Sequence, residues 1–111
     1  MSCLFIAVGR ALRVPHAVLR AQICDFVLSS NPTVVDHIDL HTWIQADSAL
    51  SARDYAHKMS ESHEWGGAIE IFCMTRLYSV QIVVHHPNFT HAFGNGTQVH
   101  LGYTGSHYTL R

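Results

Sequence analysis

Gly66-Gly67-Ala68-Ile69-Glu70-Ile71-Phe72-Cys73-Met74-Thr75-Arg76-Leu77, followed closely by Val80-Gln81-Ile82-Val83-Val84, decides the fold. Ile69, Ile71, Phe72, Met74 and Leu77 make the first run strongly apolar and predict a helix over residues 66–77. The second run is β-branched and predicts a buried strand. On the N-terminal side the pattern is helical. Leu4, Phe5, Val8 and Leu12 recur at helical spacing over residues 3–13. Val14-Pro15 ends that helix, because a residue before proline avoids the helical region. Residues 15–28 predict a second helix, with proline tolerated in its first turn. A short helix is expected over Thr33–Leu40, and another over Ser51–Ser60 with Ser51 as cap and Asp54 at the favourable end of the dipole. On the C-terminal side, Phe93-Gly94-Asn95-Gly96-Thr97 predicts a turn. Val99–Tyr103 and His107–Leu110 alternate as strands do. Helices first, then a helix leading into strands, predict an α/β (α+β) fold. Its helices would pack on a small mixed sheet in one domain over 1–111.

The composition narrows the function classes. At 111 residues, 48% hydrophobic and 14% charged, the chain builds a core. Seven Lys plus Arg against eight Asp plus Glu leave no basic stripe of the kind phosphate contacts require. Nucleic acid is therefore not an expected partner. No apolar run approaches the roughly 20 residues of a membrane span, and no signal-peptide layout is present. Three widely spaced cysteines, Cys3, Cys24 and Cys73, argue against a disulfide framework and for a reducing, cytoplasmic setting. The acceptor patterns at Asn88-Phe89-Thr90 and Asn95-Gly96-Thr97 are short and carry little weight.

The two ends of the chain carry the chemistry. Cys3 opens the first helix, where orphan N–H groups and the helix dipole favour a negative sulfur. His107 stands in the last strand-like segment and would serve as its base if the fold joins the termini. A cysteine near a chain start is otherwise most often a small hydrophobe, and a strand-borne histidine is most often structural. Cys24 and Cys73 fall within helices and read as packing. Ten histidines raise a metal question. His85, His86, His91, His100 and His107 cluster late in the chain, and His37 and His41 sit four apart near the end of the expected short helix. No helical His-x-x-x-His or Cys-x-x-Cys supports a site, so no metal or other cofactor is assigned.

Three stretches in register resemble one family. Cys3-Leu4-Phe5-Ile6-Ala7 is similar to the Asp-Gly-x-Cys-Leu-Phe-x-Ala nucleophile segment of the ovarian tumour (OTU) cysteine proteases. Trp65-Gly66-Gly67-Ala68-Ile69-Glu70-Ile71 resembles the Trp-Gly-Gly-x-x-Glu-Leu stretch before that family's central helix. Leu101-x-Tyr103 with His107-Tyr108 and Leu110 is similar to its terminal histidine motif. The resemblance implies a small papain-like fold and a deubiquitinase. Such an enzyme cleaves isopeptide bonds to ubiquitin or a ubiquitin-like protein and is expected to act as a monomer. It implies Cys3 as nucleophile and His107 as general base and acid. Trp65, Gly66, Gly67, Ile69, Glu70 and Ile71 are expected to be scaffold. The turn at Gly94-Asn95-Gly96 either borders the channel for the modifier's tail or serves only as a hairpin turn.

Two departures qualify this expectation. Family members commonly carry Asp or Asn two residues after the histidine, to orient its ring. Here Thr109 holds that position, a candidate orienting group without charge. The Asp-Gly that helps shape the oxyanion hole is not matched, since only Met1 and Ser2 precede Cys3. The expectation is an N-terminally truncated domain or an incomplete copy. The alternative to a protease is a weak or inactive OTU-like module that binds ubiquitin or another protein.

Overall fold

The computed structural model of the chain describes residues 3–29, 34–35, 38–61, 64 and 66–111, with the backbone alone at 3, 34, 35 and 38. Helix α1 (Cys3–Leu12) buries Leu4, Phe5, Ala7 and Val8. It stops where Arg13 turns left-handed (φ 59°) and the Val14 N–H returns to the Gly9 carbonyl at 2.9 Å, ahead of Pro15. Helix α2 (His16–Leu28) buries Leu19, Ile23, Cys24 and Val27, and with them Arg20.

The helix expected over Thr33–Leu40 is not there. Val34–Val35 (β1) pairs antiparallel with Ile38–Asp39 (β2), and the helix begins only at Leu40. Asp39 caps this helix, α3 (Leu40–Ser48), by accepting from the Thr42 N–H at 2.9 Å. β-Branched residues at 34 and 35 favour the small ladder, and a cap at 39 fixes where helix can start. Of the histidines placed on the expected helix, His41 lies in the first turn of α3. Its Nε2 meets the Val27 carbonyl at 2.8 Å. His37 lies outside the described residues.

Helix α4 (Ala52–Met59) starts as its sequence predicts, with Ser51 Oγ accepting from the Asp54 N–H at 3.1 Å. Helix α5 (Ala68–Tyr78) is buried from Ile69 through Thr75, which explains its apolar character on every side. It feeds through Ser79 into the sheet. The sheet comprises β3 (Val80–His85), β4 (Thr90–Phe93), β5 (Thr97–Tyr103) and β6 (Tyr108–Leu110), in the order β4-β3-β5-β6. β3 and β5 are parallel; β4 and β6 run antiparallel to their neighbours. Ile82, Val84, Val99 and Leu101 send one face of the sheet into the core.

Gly94-Asn95-Gly96 is therefore not a hairpin turn. It carries the chain from β4, on one side of β3, to β5 on the other. At Gly96 (φ 125°) a Cβ would lie 2.3 Å from the Ser79 carbonyl oxygen, so only glycine fits beneath the start of β3.

Two packing relations bear on the two ends of the chain. Helix α5 lies on β3 and β4, while α1 lies on β5 and β6 and against α2. The first helix and the last strand are thus neighbours.

Candidate active site

Cys3 is the first residue of α1, and α1 packs along β6. The Cys3 side chain lies outside the described residues, as does Trp65. The next two residues of the helix are tightly held. Leu4 and Phe5 are fully buried, and the Gly66 backbone presses on both of them.

His107 occupies the turn between β5 and β6. The Thr104 N–H donates to the His107 carbonyl at 3.1 Å, and the His107 N–H donates to Thr104 Oγ1 at 3.3 Å. This closes a tight turn and leaves the imidazole residue exposed. Thr109 follows on β6, directly across from Gly102 of β5. Its hydroxyl lies 3.0 Å from where a Gly102 Cβ would stand.

Behind α1 lies a buried polar cluster. Arg20 Nη1 donates to the Met59 carbonyl at 2.7 Å and Nη2 to the Glu64 carbonyl at 2.9 Å. Its guanidinium sits 4.3 Å above the Phe5 ring. Glu70, 1% exposed, accepts from the Gly67 N–H at 2.7 Å and from the Tyr55 hydroxyl. This is the return half of a capping box, at a position where glycine has no side chain to complete it. Glu70 reads from sequence as scaffold; the roles of Arg20 and Tyr55 are not apparent there. The available signal was Arg20 within the apolar stripe Leu19, Ile23, Cys24 and Val27, since an arginine on a buried face must be satisfied by other groups.

Burial pushes the Glu70 carboxyl above its ordinary range, against the lowering pull of Tyr55, the Gly67 N–H and Arg20. A carboxyl raised in the folded state binds its proton more tightly there than in the unfolded chain. Stability then falls as pH rises through and above the ordinary carboxylate range. Glu70→Gln keeps the acceptor but cannot ionise. Its Tm relative to the parent is expected to climb from pH 4 to pH 7, as a pH series of thermal melts would show; a constant difference would refute this.

The outer face of the sheet carries a polar ladder. His85 Nε2 and His100 Nδ1 are 2.8 Å apart, His100 Nε2 meets Gln98 Oε1 at 3.0 Å, and Gln98 donates to Gln81 at 2.8 Å. Partial burial, Arg111 and His100 hold the His85 imidazole below its ordinary pKa. Among the described residues, no three His, Cys, Asp or Glu side chains come together as a metal centre would need.

An aromatic cleft of about 1070 Å³ opens between α5 and β4. Trp43, Phe72, Arg76, Phe89 and Phe93 line it, Gly94 and Asn95 border it, and Tyr108 also lines it. Trp43 meets Phe72 edge to face, with centroids 5.9 Å apart. The aromatic lining of this cleft is not apparent from the sequence, because it comes from α3, α5, the sheet and the loops between strands.

A sequence model of the OTU-like cysteine proteases matches residues 2–108. The chain belongs to the OTU-like cysteine protease family. Its fold matches solved OTU structures. One, an OTU domain in complex with ubiquitin, superposes with a TM-score of 0.78 at 23% identity, over 97% of this chain and 62% of that one. The viral OTU domain protease of Dera Ghazi Khan virus gives 0.71 at 18% identity, over 98% and 74%. The Hazara virus OTU bound to ubiquitin gives 0.70 at 20% identity, over 98% and 74%. This OTU chain thus spans under two thirds of the first of these and about three quarters of the other two. Among curated proteins, none matches it in sequence. The five helices and mixed four-stranded sheet of the described residues are those of the OTU fold.

Proposed function

We propose that residues 1–111 form one OTU domain that acts as a cysteine isopeptidase, removing ubiquitin or a ubiquitin-like modifier from proteins. The observation that carries this reading is the packing of α1, which opens at Cys3, along β6, which follows His107. Two solved structures with the same fold hold ubiquitin, which supports ubiquitin as the partner. The free, buried thiols of Cys24 and Cys73 agree with a reducing cytoplasmic setting. Among the described residues, no helix is long and apolar enough to cross a membrane. The proposed working form is a monomer.

In this reading, His107 and the start of α1 hold Cys3 as a thiolate. The sulfur attacks the carbonyl of the modifier's C-terminal glycine, and the new S–C bond leaves an oxyanion near the Cys3 N–H. Collapse expels the lysine amine, which takes a proton from His107. His107 then deprotonates water, which attacks the thioester and releases the modifier's carboxylate and the Cys3 sulfur. The cleft lined by Tyr108, chain neighbour of His107, is suited to an extended glycine-rich tail.

A ubiquitin probe with a C-terminal electrophile is expected to label the parent and leave Cys3→Ala unmodified. Labelling that persists in Cys3→Ala, read by mass spectrometry, would end the proposal. Thr109 favours the second reading, an OTU module that binds ubiquitin without efficient turnover, because a hydroxyl orients an imidazole without stabilising its charge. Thr109→Asp would supply that charge beside His107. It is expected to raise kcat/KM on di-ubiquitin by about tenfold, and an unchanged value would remove Thr109 from the machinery.

A further inference from the structure

The segment that carries Gly66 and Gly67 is held from both sides by buried groups, and it bears on the residues that follow Cys3. Arg20 holds the Glu64 carbonyl at 2.9 Å, and Glu70 holds the Gly67 N–H at 2.7 Å. Between these anchors the Gly66 backbone lies against α1. A Cβ there would stand 2.7 Å from Leu4 Cδ2 and 3.2 Å from Phe5 Cε2. Leu4 and Phe5 are 1% and 0% exposed, so neither side chain can swing into solvent to make room. Arg20 also covers the Phe5 ring from above, at 4.3 Å. Tyr55 donates its hydroxyl to Glu70 and keeps the carboxyl directed toward the strap. Of these contacts, the Gly66 approach and the Arg20 guanidinium end on the first turn of the helix that Cys3 opens, and the others hold the strap in place.

We propose that Arg20 and Glu70 are positioning residues: they clamp Glu64 and Gly67 so that Gly66 presses on Leu4 and Phe5 and fixes the helix turn that presents Cys3. The inference rests on Cys3 as the nucleophile of the proposed reaction. It assigns to Glu70 a role beyond scaffold. Its Oε1 works as a hydrogen-bond acceptor for the strap and does not touch the substrate. A displacement of about 1 Å in a reacting group can cost about 10² in rate, so a strap that loosens the first turn acts on chemistry before it acts on folding.

The test compares Gly66→Ala, Glu70→Leu and Glu70→Gln with the parent. Glu70→Leu removes a buried carboxyl for an apolar residue of similar size and leaves the Gly67 N–H without its acceptor, whereas Glu70→Gln retains an acceptor oxygen. Alkylation by iodoacetamide is followed peptide by peptide across a pH series. Buried Cys24 and Cys73 report unfolding within the same sample. Ubiquitin-electrophile labelling and ubiquitin affinity are measured alongside.

Gly66→Ala and Glu70→Leu are expected to slow probe labelling about tenfold and to shift the pH midpoint of Cys3 alkylation. Cys24 and Cys73 should stay protected and ubiquitin affinity should stay within about twofold, with Glu70→Gln matching the parent. Parent-like Cys3 profiles in both Gly66→Ala and Glu70→Leu would overturn the clamp. So would losses that rise in step with exposure of Cys24 and Cys73 in every variant. A parent that the ubiquitin probe leaves unlabelled would refute the assigned reaction, while the alkylation profiles would still decide the clamp.

Discussion

His107→Ala is expected to lower turnover of di-ubiquitin by about 10²–10⁴-fold. In the proposed reaction this imidazole acts three times: it holds the thiolate, protonates the departing amine and activates the hydrolytic water. His85 and His100 are engaged with each other across β3 and β5, and Thr109 has no basic nitrogen. His107 is exposed in a turn closed through Thr104 by backbone and hydroxyl bonds. Its removal should therefore move stability by no more than about 0.5 kcal/mol. The informative comparison is kcat against the dissociation constant for ubiquitin. A large fall in kcat at constant affinity is the expected result. Parent-like turnover would show that another group is the base.

Phe5→Ala is expected to cost about 3–5 kcal/mol of stability. The ring is fully buried at the junction of α1, α2 and the Gly66 strap. Its loss leaves a cavity and also removes the face on which the Arg20 guanidinium rests. Arg20 would keep its carbonyl acceptors at Met59 and Glu64 but lose the contact that balances part of its burial. Against the usual 5–15 kcal/mol of a domain this is a large fraction, readable in urea as a lowered midpoint at unchanged m-value. In thermal melts it corresponds to a drop of roughly 15 °C. A loss under 1 kcal/mol would mean that the helix junction collapses to fill the space.

What the sequence made legible follows from how local each signal is. Leu4, Phe5 and Val8, Ile23 and Val27, and the Ser51 cap with Asp54 each act within one or two helical turns, and the helices they mark are present. The Val80–Val84 run likewise became β3. Thr33–Leu40 failed because a helical reading ignored two adjacent valines and the capping side chain of Asp39. β4 went unseen because Thr90, His91 and Ala92 are all exposed on an edge strand and leave no alternation to detect. The Gly94-Asn95-Gly96 turn was legible as a turn, since glycine chemistry specifies dihedral angles. Which strands it joins is set by the whole sheet. The same limit applies to the site. Cys3 and His107 stand out as candidates by their places at the two ends and by a resemblance to a family, whereas Arg20, Tyr55 and the aromatic cleft depend on contacts between distant segments.

The neighbourhood of α1 and β6 has a consequence for synthesis. The ribosome completes α1 before residues 13–107 and only then makes the strand that docks beside it. No shorter nascent stretch of this chain contains both. In the proposed reaction, a polypeptide not yet translated through β6 would therefore carry an inert cysteine.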